Sequence, residues 1–169
     1  EGGVIKQAGH HAFVTHESHG VAHIKNIAYD CENEPFHWDK GTESNDTLYE
    51  QCVAAFIHHV PSFRGFRLHG FSLITGFGNM ARGCLAVGIV GNSEASGFEW
   101  SEHAGGRGGI WGFEDCTSLA NKRWGLFVWQ NTPNNHVVPT GGKFIAIHCG
   151  AGGVQNGAYL NPYHYQDLE

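Results

Sequence analysis

The fold is decided by short apolar stretches such as HIKNIAYDC, residues 23–31, in which apolar and β-branched residues are bounded by polar ones. Runs of about four to eight such residues, separated by turn-forming residues, are typical of β-strands. Gly91-Asn92 and Gly141-Gly142 supply turn chemistry between runs. The apolar runs lie at residues 24–29, 66–74, 85–90, 110–113, 126–129 and 144–148. The sequence therefore predicts an all-β fold.

The composition agrees with this prediction. The chain has 169 residues, which is within the usual size of one folded unit, so we expect a single domain over residues 1–169. Glycine supplies 25 residues and methionine one, a balance that disfavours long helices. An all-β domain rich in turns follows from these counts.

One segment, residues 47–59, could form a helix. Thr47 and Glu50 match a capping box, and Pro61 would prevent the helix from continuing. The β-branched and aromatic residues of the segment also suit a strand. We therefore predict at most one helix, at residues 47–59.

Small or amide residues lie at the ends of several predicted strands, and the number of residues between one and the next is similar. A spacing near twenty residues would match one coil of a right-handed parallel β-helix, in which such residues stack at the corners. The residues of this predicted ladder are Cys31, Cys52, Ser72, Asn92, Cys116, Asn131 and Cys149.

Residues 23–31 and 63–72 resemble rungs of the β-helices found in phage tail spikes and pectate-lyase-like proteins. The resemblance covers about a third of the chain and includes no catalytic signature. It implies a short right-handed parallel β-helix and a viral or secreted, carbohydrate-related setting. The alternative fold is a jelly-roll-like β-sandwich, with residues 124–130 and 143–148 as strands across the loop 131–142.

Charge and cysteine content exclude several classes of protein. A formal charge of -6, with only 10 Lys and Arg, disfavours a nucleic-acid partner. Every apolar run is shorter than the roughly 18 residues of a membrane helix, so we expect no membrane insertion. The five cysteines include no CxxC pair and are expected to be buried, although disulfides stay possible in a secreted protein. The first residue is Glu1, from which we expect a processed product or a piece of a longer chain.

The chain contains 13 histidines, and their densest cluster is near the start. Imidazole nitrogens are ligands for divalent metals, so this cluster is the predicted metal site, with His16, His19 and His23 as its ligands. Surface or hydrogen-bonded histidines are the alternative interpretation. The whole cluster consists of His10, His11, His16, His19 and His23.

Carboxylates and aromatic residues occur together at several places. Asp30, Glu32, Glu34 and Asp39 lie close in sequence, and with nearby aromatic residues they form a mixture that suits sugar chemistry, although a solvated loop is the favoured interpretation. Three tryptophans also have a carboxylate within four positions, which predicts stacking on sugar rings with hydrogen bonds to hydroxyls. The predicted glycan-binding residues are Trp38, Asp39, Glu99, Trp100, Trp111 and Asp115.

These features predict an extracellular or virion-associated module that contacts glycan-rich surfaces such as a cell-surface polysaccharide. A small all-β module of this kind often completes its core by symmetric association, so a homo-oligomer, with a trimer as one form, is expected. Two alternatives remain open. One is a polysaccharide-degrading enzyme, and the other is a trimerisation domain released by proteolysis from a longer viral protein.

Overall fold

The structure is a computed structural model that describes residues 1–38, 44–59, 67–91, 94–105, 112–128, 144–147 and 157–159. These residues form an all-β fold, as the sequence predicts. The strands are β1 (Val4–Lys6), β2 (Phe13–Thr15), β3 (Ala22–Ile24), β4 (Ile27–Tyr29), β5 (Phe36–Trp38), β6 (Leu48–Glu50), β7 (Val53–Ala55), β8 (Arg67–Phe77), β9 (Met80–Arg82), β10 (Leu85–Val87), β11 (Glu94–Gly105), β12 (Gly112–Glu114), β13 (Cys116–Leu119), β14 (Trp124–Val128), β15 (Phe144–Ile147) and β16 (Gly157–Tyr159).

The strands belong to three sheets, and the pairings between them are parallel. Sheet A has the order β1-β4-β7-β10-β13-β15, sheet B has the order β16-β14-β11-β8-β5-β2, and sheet C has the order β12-β9-β6-β3. From β1 to β14 the chain therefore visits sheets A, B and C in turn and returns to sheet A one strand further along. In the part of the chain described, no helix is long and apolar enough to cross a bilayer.

The possible helix at residues 47–59 is absent, because this segment forms β6 and β7. Leu48–Glu50 pairs with β3 and β9, while Val53–Ala55 pairs with β4 and β10. Gln51, between the two strands, has a φ of 52°, a left-handed conformation that ends one strand and redirects the chain. Pairing with neighbouring strands on both sides therefore overrides the capping signal.

The register of sheet A corrects the predicted twenty-residue ladder. Val53 pairs with Leu85 and Leu85 with Thr117, so 32 residues separate successive positions there. Cys52 lies immediately before Val53, whereas Cys31 lies four residues after Ile27, the partner of Val53. Cys31 and Cys52 therefore do not occupy equivalent positions along the paired strands β4 and β7.

The core contains a ladder of stacked phenylalanines along sheet B. Phe36 and Phe71 have ring centroids 4.6 Å apart, and Phe71 and Phe98 have theirs 5.0 Å apart, with interplanar angles of 15° and 11°. Phe13 extends the stack with its centroid 5.0 Å from that of Phe36. We call these four residues the Phe ladder. Their stacking holds neighbouring strands in register, because an aromatic ring at the same level of each strand buries both faces of its neighbour.

A second ladder consists of cysteines at the start of strands in sheet A. Cys52, Cys84 and Cys116 are buried free thiols, each contacting the carbonyl oxygen two residues earlier and one from the preceding level. Burial raises the pKa of Cys84 well above its usual range. Cys31 is also free and buried, so the prediction of buried cysteines is confirmed for these four. Cys149 lies outside the described residues.

Candidate functional site

A buried group of ionisable side chains lies beside the Phe ladder in sheet B. Glu34 comes two residues before β5, His37 is in β5, His69 is in β8 and Glu99 is in β11. The exposed fractions are 9% for Glu34, 7% for His37 and 0% for both His69 and Glu99. We call these four residues, with the half-buried His11 at their edge, the sheet-B cluster. Ionisable groups buried in this way require partners, because an unpaired charge in the interior is costly.

The inner half of the cluster is built from residues that face each other across β8 and β11. Ser72 pairs with Glu99 in the ladder of strands, and its hydroxyl donates to Glu99 Oε2. His69 pairs with Ser96, and His69 Nδ1 lies 2.5 Å from Ser96 Oγ. His69 Nε2 lies 3.5 Å from Glu99 Oε2. The register therefore pairs each of the two ionisable residues with a serine, and the side chains of His69 and Glu99 meet between these two paired positions.

The proton on His69 can be located from its neighbours. Ser96 Oγ donates its hydrogen to the carbonyl oxygen of Phe98, at 2.8 Å. A hydroxyl carries one hydrogen, so toward His69 Ser96 Oγ is an acceptor and Nδ1 is the donor. In a neutral ring, Nε2 then carries the lone pair and points toward Glu99.

The outer half of the cluster surrounds Glu34. His37 Nδ1 lies 2.7 Å from Glu34 Oε2, and His11 Nδ1 lies 2.7 Å from the backbone carbonyl oxygen of Glu34. Burial alone would raise the pKa of the Glu34 carboxyl, but the hydrogen bond from His37 and the nearby imidazoles lower it below its usual value. Glu34 is therefore a carboxylate at neutral pH.

The imidazole of His11 is neutral at the same pH. Burial, with a further contribution from His37, lowers its pKa to about 4. The rings of His11 and His37 are stacked, with centroids 4.2 Å apart and an interplanar angle of 4°. A neutral imidazole of this kind is available either as a base or as a ligand.

Two groups within the described residues have ligand atoms close enough to hold a metal ion. One is His11, Glu34 and His37, and the other is Glu34, His69 and Glu99. In each group the ligand atoms lie within 4.8 Å of one another, and Glu34 belongs to both. The described residues thus contain histidines that could hold a metal ion together with glutamates, as the sequence predicts.

The predicted ligands His16, His19 and His23 belong to neither group. His16 and His19 are exposed, and His19 Nδ1 accepts a hydrogen bond from the backbone N–H of Asn45 at 3.1 Å. His23 is half-buried, and its Nε2 lies 3.0 Å from Thr15 Oγ1. Of the N-terminal histidines, His11 is the one that joins a candidate group.

The predicted glycan-binding residues are found in different parts of the fold. Trp38 is the last residue of β5, and Trp100, in β11, pairs with Leu73 of β8. Glu99 is fully buried in the sheet-B cluster, whereas Asp115 is exposed, with a φ of 51°, between β12 and β13. Asp39 and Trp111 lie outside the described residues.

The acidic residues that the sequence places together separate in the structure. Asp30 and Glu32 line an open surface pocket of about 260 Å³ together with Gln7, Ala8 and His58. Glu34, in contrast, is turned into the sheet-B cluster. The interpretation of these acidic residues as a solvated loop fits Asp30, which lines an open pocket, but is wrong for Glu34, which is buried.

Sequence reasoning did not single out His37 or His69, and it assigned Glu99 to a sugar-binding surface. A signal exists for His37 and Glu99, because His37 follows Phe36 and Glu99 follows Phe98, two members of the Phe ladder, whereas His69 has no such signal. A polar residue directly after each stacked phenylalanine marks positions that share one side of the sheet.

Comparison with known proteins gives no relative: the chain matches no protein family, no curated protein and no solved structure.

Proposed function

We propose that the chain is a polysaccharide-degrading module in which the sheet-B cluster carries the chemistry. The observation that supports this proposal is the meeting of Glu34 and Glu99, which are far apart in sequence, with three histidines at one place in the sheet. Burying such groups opposes folding, and arrangements of this kind are concentrated at functional sites. Carboxylates and imidazoles are also groups that can act as acid and base at a glycosidic linkage.

The proposed architecture is a short right-handed parallel β-helix. Parallel pairing in all three sheets, with the chain visiting the sheets in turn, supports the coil over the jelly-roll alternative, whose strands are antiparallel. The right hand follows from the strong preference of parallel crossover connections. Long parallel strands on one side of such a coil offer an extended surface to a polymer.

Exposure within the cluster indicates the end from which a substrate approaches. His11 is half-buried, the Glu34 side chain is 11% exposed, and His69 and Glu99 are fully buried. We assign substrate contact to the outer end, where Glu34 is ionised and His11 is neutral. The neutral imidazole of His11 is in the protonation state that a base requires, and Glu34 is in the state that a metal ligand requires.

The inner carboxylate has a different role. Ligand oxygens of Glu34 and Glu99 lie within 4.8 Å, which is closer than the about 5 to 9.5 Å between the acid and base of glycosidases. Glu99 is therefore assigned to supporting Glu34 and not to acting as a separate acid.

The test is an activity screen with neutral and uronic-acid-containing polysaccharides, measuring new reducing ends and unsaturated products. We expect cleavage of at least one polymer by the wild-type chain and its loss in Glu34→Gln. Glu17→Gln is the matched control, because Glu17 is an exposed glutamate outside the cluster. Absence of cleavage across the panel, or full activity of Glu34→Gln, would overturn the proposal.

Recognition of glycans without cleavage is a second candidate, favoured by the backbone positions of two tryptophans. Trp38 and Trp100 lie in β5 and β11, which are the two neighbours of β8 in sheet B. A glycan array with multimerised protein, followed by Trp38→Ala and Trp100→Ala, tests it. Binding on the array by a chain that cleaves nothing would favour recognition.

Assembly is a third candidate, favoured by exposed apolar side chains on strands and turns of sheet A. Val4 is 67% exposed and Phe56 55% exposed, and Ile27, Tyr29, Val90 and Ile147 are exposed as well. We propose that a second copy of the chain covers this side, in a homo-oligomer that works outside the cell or on a virion. Light scattering coupled to size exclusion measures the oligomer, and a monomer at all concentrations would remove this candidate.

The cofactor we propose is a divalent metal held through Glu34. This metal site differs from the predicted one, whose ligands are His16, His19 and His23. The predicted site stays a prediction, which elemental analysis of His16→Ala and His19→Ala variants can check.

A further inference from the structure

We propose that Glu34, His69 and Glu99 bind one divalent transition-metal ion and that His37 positions Glu34 for this purpose. The inference concerns the same cluster and rests on the proposed function for its biological purpose. Metal binding, however, is measured without any substrate, so the two proposals can fail separately.

The strongest support comes from the contact between His69 and Glu99. Because His69 Nδ1 donates to Ser96, the lone pair of Nε2 in a neutral ring faces a carboxylate oxygen, Glu99 Oε2. His69 Nε2 is buried and has no hydrogen-bond partner among the described residues. A lone pair facing an anion is repulsive, and a cation between the two atoms removes the repulsion.

The distance between these atoms agrees with a shared cation. They are 3.5 Å apart, which is longer than the about 2.7 to 3.2 Å of an N–H···O hydrogen bond. Two ligands at about 2.0 to 2.2 Å from a tetrahedral ion are separated by about 3.3 to 3.6 Å. The two atoms are therefore spaced as neighbouring ligands of one ion.

Charge balance supports the same conclusion. Glu34 and Glu99 place the oxygens of two carboxyl groups within 4.8 Å of each other in the interior, where negative charge is costly to bury. A divalent ion supplies two positive charges between them. Ser72, which donates to Glu99 Oε2, fixes the orientation of the inner carboxylate from the other side.

The group of His11, Glu34 and His37 is less suited to an ion. The rings of His11 and His37 are parallel, so their lone pairs lie in stacked planes and do not converge on one point. His37 Nδ1 instead contacts Glu34 Oε2 directly at 2.7 Å. These two histidines hold Glu34 in place, as the residues behind a metal ligand commonly do.

Three protein ligands leave a fourth tetrahedral position for water, the arrangement of catalytic zinc sites. One imidazole with two carboxylates suits Zn²⁺ or Mn²⁺ better than Cu⁺, which prefers sulfur ligands. Zn²⁺ is therefore the first probe, and Co²⁺ is the second because its visible spectrum reports tetrahedral coordination.

The experiment is a calorimetric titration of the full chain, stripped with a chelator, with ZnCl₂ and then CoCl₂. We expect one equivalent of tight binding in the wild type and its loss in Glu99→Gln and His69→Gln. His37→Gln should bind about 10- to 100-fold more weakly, as expected for a residue behind a ligand. His58→Gln, which changes an exposed histidine outside the cluster, is the matched control and should bind normally.

Circular dichroism of each variant shows whether it is folded, and only folded variants are compared. No stoichiometric binding by the wild type would overturn the inference, as would normal binding by folded Glu99→Gln with loss in His16→Ala. Polysaccharide cleavage by a wild-type chain that binds no stoichiometric metal would retain the proposed function while overturning the metal site. Stoichiometric binding without cleavage of any polymer would retain the metal site and overturn the function.

Discussion

Phe71 and Phe98 in the core and the residues that follow them, Ser72 and Glu99, form two ladders that run side by side through the same strands. The aromatic pair stacks with centroids 5.0 Å apart, and the polar pair is joined by a hydrogen bond. Stacking needs only a ring of suitable shape at the same level. The polar pair needs a particular donor opposite a particular acceptor, because buried polar groups are stable only when satisfied.

This difference indicates which part of the molecule stabilises the fold and which part is available for chemistry. The Phe ladder stabilises the fold through a repeated contact, because each ring stacks on the next and every added strand extends the stack. The sheet-B cluster is not repetitive, because it combines residues from the start of β5, from β8 and from β11. We therefore expect the ladder to dominate stability and the cluster to have little net effect on it.

The largest expected effect is that of breaking the Phe ladder at its middle. Phe71 is fully buried between Phe36 and Phe98, so Phe71→Ala removes two stacking contacts and leaves a cavity. The expected loss is about 3 to 5 kcal/mol of unfolding free energy, measured by denaturant titration. Val14→Ala is the control, because Val14 is 43% exposed and its truncation should cost far less. Equal losses at the two positions would contradict the assignment of the ladder to the core.

The sheet-B cluster is tested by removing one or both members of the pair formed by His69 and Glu99. In chelator, Glu99→Leu leaves His69 buried beside an apolar side chain, and we expect a loss of about 3 kcal/mol, at the lower end of broken buried pairs. The double variant His69→Leu with Glu99→Leu removes both groups and should recover most of that loss, because replacing a buried pair by apolar residues is often neutral. Denaturant titrations of the three chains measure this. A double variant as unstable as the single one would show that the cluster stabilises the fold.

A smaller effect is expected at Gly70 of β8, which lies close both to β11 in its own sheet and to Ala86 of sheet A. A Cβ added to Gly70 would lie 2.7 Å from the carbonyl oxygen of Gly97 and 3.0 Å from Ala86 Cβ. Neither atom can move easily, so Gly70→Ala should cost about 1 to 3 kcal/mol through overpacking. Gly9→Ala is the matched control, because the nearest atom there is Glu32 Oε2 at 3.8 Å. Thermal unfolding compares the two, and an unchanged Tm for Gly70→Ala would contradict the close approach.

The fold class could be predicted because strand signals are local. The predicted strand at residues 85–90 contains β10, and that at 144–148 contains β15. The ladder of positions could not be predicted in the same way, because the number of residues between paired positions of neighbouring strands varies: Ile27 follows Val4 by 23 residues, whereas Leu85 follows Val53 by 32. A search for one fixed period therefore aligned residues that do not pair.

The candidate site depends on this same missing register. Glu99 meets His69 only because β11 pairs with β8 at the level that the structure has, and a shift of one residue would turn Glu99 to the other face. Glu34 was visible as an acidic residue, but its burial depends on how the start of β5 packs against His11. Composition and spacing contain neither fact, so the sequence identified residue types suited to a site without identifying their convergence.

The smallest expected effect concerns His23, which lies where the Phe ladder meets polar neighbours. Its ring contacts Phe13 edge-on, with centroids 6.0 Å apart, and Nε2 lies 3.0 Å from Thr15 Oγ1. Burial lowers the pKa of His23 below 6.5, so the unfolded chain takes up the proton first as the pH falls. Stability contributed by the neutral ring is therefore complete above about pH 6.5 and decreases as the pH falls toward the folded pKa.

The measurement is the unfolding free energy of wild type and His23→Gln between about pH 7.5 and about pH 5, a range in which histidine titrates. The wild type should lose stability relative to His23→Gln on acidification. Because the ring is only half-buried, the unfolding free energy should fall with pH less steeply than it would for the uptake of one full proton. His19→Gln is the control, since His19 is exposed and its variant should follow the wild type across the range. If the unfolding free energies of wild type and His23→Gln change in parallel with pH, the Phe ladder does not exclude water from this imidazole. The region that is shielded from water by the Phe ladder would then begin further inside the sheet.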